Sequence, residues 1–200
     1  MVATHGYVTL AAMKSRIGIT DTMDNTSLDA VIVSVSRWID NYCGRKFYAN
    51  TTENRYYTPN SYNILYIDDL LSVSTLGTDT DGDRTYEDTW ATTDYDLMPY
   101  NAALNSKPYT WIETTPQGSY AFPAGVRKAV KITGVFGYCT YATAAPYEVR
   151  EACYIQSHRI FKRKDSPFGI AGKSDLGQLE MVPKLDADVK SMLDPFVKHF

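Results

Sequence analysis

The chain has 200 residues, of which 44% are hydrophobic and 22% charged, and carries a net charge of −3. This composition predicts one folded domain, or one domain with an insert, long enough to bury a core without staples. It excludes a general attraction to nucleic acid or membrane, and no apolar run approaches the roughly 20 residues needed to span a bilayer.

The charge is unevenly placed. Residues 1–100 carry 14 acids and 7 bases, net −7, and residues 101–200 carry 9 acids and 13 bases, net +4. The three cysteines, Cys43, Cys139 and Cys153, include no CxxC pair. That predicts free thiols and a reducing compartment rather than a disulfide framework. "MVATHGYVTL" lacks the cationic start and long apolar stretch of a secretory signal, so a cytoplasmic site of synthesis is expected.

In chain order, "TLAAMKSRIGI" predicts a short helix with Thr9 as N-cap and Gly18 as its left-handed stop. "TSLDAVIVSVSRWIDNYCG" predicts a second, longer helix. Its apolar face is Leu28, Val31, Ile32, Val35, Ile39 and Tyr42 or Cys43, and Gly44 ends it. Thr26 with Asp29 reads as its capping box. The pattern then changes to Tyr-, Thr-, Val- and Ile-rich runs broken by Gly, Pro, Asn and Asp: "NRYYTPN", "YNILYIDDLLSVSTLGTD", "RTYEDTWATTDYDLMPYN", "YTWIETT" and "AVKITGVFGY". These read as strands, with "TDTDGDRT", "NSKP" and "TPQG" as turns.

Helical spacing returns in "APYEVREACYIQSHRIFKRKD", with Pro146 in the first turn and an inner face of Val149, Ala152, Cys153, Gln156 and Ile160. Residues 165–183 are Gly-rich and read as a loop or arm. A last helix, "PKLDADVKSMLDPFVKHF", carries the stripe Leu185, Val189, Met192 and Phe196, and Pro195 should kink or end it. The expected fold is α+β. A helical core of about four helices comes from both chain ends, 1–50 and 141–200, with an antiparallel β subdomain inserted at 51–140.

Chemistry finds little support. A cysteine nucleophile needs a base in reach and a lowered pKa. Cys43 instead sits at a helix C-terminus, where the dipole acts against the thiolate. A buried thiol is the expected role of Cys43 and of Cys153. A Cys–His hydrolase pairing either with His158 is the least supported reading. Asp79, Asp81 and Asp83 alternate, but Gly82 and Trp90 stand in the wrong places for a calcium loop, so a hairpin turn is expected. No phosphate loop or metal-ligand spacing is present, so neither cofactor nor metal is expected. The densest positive run, Arg159, Lys162, Arg163 and Lys164, complements the dipole at a helix end. Its functional alternative is a small nucleic-acid-binding module contacting phosphates there.

The N-terminal order of residues carries more. Ile17-Gly18-Ile19, Asp21-Thr22, Leu28, Ile32, Ile39-Asp40, Tyr42-Cys43-Gly44-Arg45 and Phe47 resemble the N-terminal helices of tailed-bacteriophage head–tail connector (adaptor) proteins. "DYDLMPYNAALNSKPYTWIE" and "VPKLDADVKSMLDPFVK" are similar to longer members with a β insert. The resemblance implies a structural virion protein at the neck, not an enzyme. About a dozen copies would form a homo-oligomeric ring beneath the portal. The ring would extend the channel for packaged DNA, contacted without sequence preference, and offer a surface to the next connector or tail protein. It would be assembled in the host cytoplasm and need no membrane. The resemblance further implies that Leu185, Val189, Met192 and Phe196, with the tail to Phe200, meet the portal protein. Docking of the same helix on its own core is the equal alternative. Contacts between neighbouring copies are expected in part from the Tyr-rich insert.

Overall fold

The computed structural model describes residues 5–49, 51–163, 170–171, 180–181 and 186–198. The fold is α+β: the described residues form four α-helices, a six-stranded antiparallel sheet and one short two-stranded pair. The chain divides into two units. One takes Met1–Arg45 and Ala142–Phe200; the other takes the intervening Lys46–Tyr141.

In the helical unit, α1 spans Leu10–Ile17. The Thr9 hydroxyl accepts the Ala12 N–H at 3.1 Å, a cap worth about 1 kcal/mol. Gly18 closes the helix at φ 73°, where a side chain would be strained. The second helix, α2, spans Asn25–Cys43 and ends at Gly44 in the same left-handed conformation. It starts earlier than the expected capping box allows. Thr26 lies inside the first turn, Asp24 is the N-cap residue and makes no side-chain cap, and its carbonyl takes the Leu28 N–H at 2.8 Å. Leu28, Ile32, Val35, Ile39 and Cys43 are buried as expected, whereas Val31, one step round the helix, is only half-buried.

The third helix, α3, spans Tyr147–Lys162, with Pro146 at the N-cap rather than within the first turn. Its buried face is Val149, Ala152, Cys153, Gln156, Ser157 and Phe161. The expected inner residue Ile160 is 38% exposed. The helix turns 100° per residue, and the face through Val149, Cys153 and Ser157 continues to Phe161, not to its neighbour. Arg16 on α1 clamps Glu151 on α3 with two hydrogen bonds. Tyr7 places its N–H 3.0 Å from Ser36 Oγ and its hydroxyl on Asp40, tying the N-terminal segment to α2.

In the segment expected to be a loop or arm, Ile170–Ala171 and Glu180–Met181 pair antiparallel as β7 and β8. Lys164 of the cationic run, and Leu185 and Phe200 of the last segment, lie outside the described residues. The last helix, α4, is short, Ala187–Leu193, and passes at Pro195 into a single 3₁₀ turn, Asp194–Phe196.

The inserted unit holds β1 Glu53–Tyr57, β2 Ile64–Thr78, β3 Asp88–Thr89, β4 Tyr95–Met98, β5 Tyr109–Thr114 and β6 Val130–Phe136. The strand order is β1-β6-β2-β5-β4, with β3 also on β2. The 15-residue β2 pairs with β5 along its first part and with β6 along its second. Its core-facing residues are Leu65, Ile67, Leu70, Val73 and Leu76. A regular strand would keep a two-residue period. Here each three-residue step crosses a register irregularity, between Tyr66 and Leu70, Leu70 and Ser72, and Val73 and Thr75. Bulges absorb the extra residue and keep the apolar side chains inward. Gly134 on β6 lies opposite Val73, where a Cβ would sit 2.4 Å from the Ser72 carbonyl oxygen; only glycine fits this approach.

Trp90 anchors the core of the sheet. Its ring stacks on Phe122 at 4.8 Å and on Tyr120 at 5.6 Å, and its N–H donates to Thr78 Oγ1 at 3.0 Å. The acidic loop between β2 and β3 is the expected turn. Asp79 accepts the Gly82 and Arg84 N–H groups at 2.7 and 2.9 Å, Asp81 that of Asp83, and Asp83 that of Thr85. Oxygens of the three carboxylates lie within 4.8 Å of one another. Their hydrogen bonds to the loop backbone explain that closeness as turn geometry.

Candidate partner-binding surface at the C-terminal helix

The short helix α4 is built from its caps inward. Asp186 takes the Asp188 N–H at 2.9 Å as N-cap and also the Arg159 guanidinium of α3 at 2.5 Å. At the other end Asp194 accepts from Tyr42 of α2 at 2.5 Å and pairs with Lys190 at 2.6 Å. These two partners hold its carboxyl below the ordinary range. Beyond the 3₁₀ turn, the Lys198 N–H donates to the Cys43 carbonyl at 2.9 Å.

The expected stripe divides into two faces. Val189 is fully buried within the helical unit, so it serves the chain's own core. Its buried companion is Leu193, four residues on, which the stripe Leu185, Val189, Met192 and Phe196 passed over. The spacing of 189 to 193 carried that signal, since residues four apart share a helix face. Met192 and Phe196 are half-buried and line a groove of about 450 Å³ with Glu148, Asp188, Ser191 and Pro195. The groove is an apolar floor with two carboxylates from α3 and α4 in its lining.

The cationic run is not four equivalent charges. Arg159 is paired with Asp186, Lys162 is exposed and Arg163 half-buried. His158 is half-buried on α3. Cys43 and Cys153 are buried, as expected, and Cys139 is half-buried. Burial pushes the Cys43 thiol up to about 12 and also raises that of Cys153, which lies 3.6 Å from Ser36 Oγ. Burial likewise raises Cys139 to about 11. A thiol shifted upward is protonated and unreactive at neutral pH. At pH 8, Cys43 and Cys153 will therefore resist iodoacetamide in the folded chain and react once urea unfolds it. Mass spectrometry that finds Cys43 modified rapidly in the folded chain would contradict this. The linkage runs the same way. Above the unfolded thiol pKa, near 8.5, the unfolded chain releases protons that the folded chain keeps, so stability falls as pH rises.

The described residues thus combine a helical unit built from both chain ends with an inserted antiparallel sheet, and carry an apolar groove on α4. Residues 7–74 match the family model of the phage gp6-like head-tail connector protein. This segment takes in α1, α2, β1 and most of β2, so the resemblance to head–tail connector proteins is shown on it. No curated protein sequence matches the chain. Among solved structures, the fold is shared with a chain of the neck of an empty GTA particle computed with C6 symmetry. The identity is 12%, the match covers 100% of this chain and 94% of that one, and the TM-score is 0.61. It is shared also with a chain of the neck of a native GTA particle computed with C12 symmetry, at 15% identity, 96% and 88% coverage and a TM-score of 0.54. A third match is to the virion of a native gene transfer agent (GTA) particle, at 14% identity, 98% and 92% coverage and a TM-score of 0.57.

Proposed function

We propose that the chain is a head–tail connector of a phage or phage-like particle, located at the neck of the virion. About a dozen copies form a ring beneath the portal protein. The ring extends the DNA channel and receives the next connector or tail protein. The observation that carries this reading is the family match over residues 7–74 within a fold shared along the whole chain with neck proteins. The inserted unit has eleven acids against seven bases, net −4, which suits a surface that DNA passes without sticking.

The portal contact is assigned to the far end of α4. Val189 and Leu193 seat the helix on its own unit, leaving Met192 and Phe196 in the groove for a partner's side chain. Leu185 and Phe200, at the two ends of the same segment, belong to this proposal by sequence. Replacing Met192 and Phe196 together with serine will abolish co-sedimentation with portal rings, while trypsin protection at Lys190 stays near the wild-type level and shows α4 still docked through Val189 and Leu193. Undiminished co-sedimentation of the double variant would remove the groove from the portal contact. The alternative of a nucleic-acid-binding module has a weaker footing, because Arg159 is already paired with Asp186.

A further inference from the structure

The outer face of the β2-β5-β4 sheet carries an aromatic and acidic surface that neither the groove nor the core uses. The register places Tyr66, Trp111 and Met98 in one cross-strand row and sets Glu113 beside Asp96 in the next. Alternation makes these the outward residues, since Leu65, Ile112 and Leu97 between them face the core. Tyr66 is 76% exposed, with its ring centroid 6.5 Å from that of Trp111. Tyr100 is 64% exposed and donates to Asp96 at 3.1 Å. The Trp111 indole donates to Glu113 at 2.7 Å, which fixes both groups in place.

Exposed Tyr and Trp are typical interface anchors. Aromatic faces beside carboxylates select a cation twice over, through the ring quadrupole and through ion pairing. The chain itself carries the matching group. At the end of α3, Lys162 and Ile160 are exposed, and the half-buried Arg163 follows. We propose that the Tyr66–Trp111 face of one copy receives the cationic end of α3, residues 160–163, of the neighbouring copy. Such a contact joins two different patches of the same chain, the heterologous arrangement that a closed ring requires. The proposal rests on the ring reading given above.

Charge reversal on each side tests it. One variant carries Asp96→Lys and Glu113→Lys; a second carries Lys162→Glu and Arg163→Glu. All four side chains are at least partly exposed, but Asp96 and Glu113 each lose a hydrogen bond, to Tyr100 and Trp111, so a wild-type circular dichroism spectrum and cooperative unfolding of each variant are required alongside. Native mass spectrometry on portal rings will show wild-type rings and at least about a tenfold loss of ring for each variant alone, because like charges then face each other. Mixing the two variants will restore rings of alternating copies, since every contact regains opposite charges. Rings from either variant alone at the wild-type level would overturn the proposal and leave the ring reading standing. Failure of the mixture to recover would also overturn it. Absence of wild-type rings would overturn the ring reading itself, and this contact with it.

Discussion

Replacing Trp90 with alanine lowers the stability of the chain by about 3–5 kcal/mol, the range for removing a buried large aromatic side chain. The indole is 5% exposed and sits among Tyr95, Tyr120 and Phe122, so few neighbours can move in to fill the gap. Its N–H also serves Thr78, which is itself buried at the end of β2. Two losses therefore coincide: the contacts of the ring and a buried hydrogen bond worth about 1 kcal/mol. Trp90→Phe keeps most of the stacking and loses the hydrogen bond, so it falls between the two. Urea unfolding measures the total, and hydrogen exchange places it. The β2 and β6 amides will be the first to lose protection. A Trp90→Ala chain within about 1 kcal/mol of wild type would show that this cluster is not what holds the sheet.

Leu193→Asp has the second large effect, and it acts on α4. A helix of seven residues has almost no stability of its own and exists because it is docked. Its polar attachments to the other helices, Arg159–Asp186 and Tyr42–Asp194, lie at the partly exposed ends of the segment, where such contacts hold little. Leu193 is fully buried, and removing its side chain costs about 2–5 kcal/mol. A carboxylate in that place must either be desolvated or leave, and leaving is cheaper because only one helix is undocked. The expected result is a chain that keeps its other helices but is cut rapidly by trypsin after Lys190 and no longer binds portal rings. Leu193→Ala will weaken α4 without releasing it fully. If Leu193→Asp resists trypsin as wild type does, α4 is not held by its apolar face.

Some elements were legible because a single residue type settles them. Thr9, Gly18 and Gly44 bound α1 and α2 through caps that few other residues can form, and both helices end where those glycines predict. The start of α2 was misread because Thr26 and Asp29 offer a capping pattern that the backbone does not use once Asp24 has opened the helix. The inner face of α3 was one residue out at Ile160, since two adjacent apolar residues leave the phase undecided without a packing partner. The chain's longest strand, β2, was recognisable by composition, but its bulges were not. Core residues three apart imitate helical spacing, and only pairing with β5 and β6 shows where the extra residues go. The partner surfaces were the least legible. Met192 and Phe196 were in the expected stripe, but their separation from Val189 depends on how α4 docks. The Tyr66–Trp111–Met98 row exists only through register, as its members are far apart in the chain.

The most direct measurement is native mass spectrometry of the purified chain, alone and mixed with portal rings encoded in the same genome. The account predicts a portal-dependent gain of a fixed number of copies, about twelve, as a closed ring on a matching symmetric partner requires. A chain that stays monomeric and adds nothing to the portal at any concentration would contradict it.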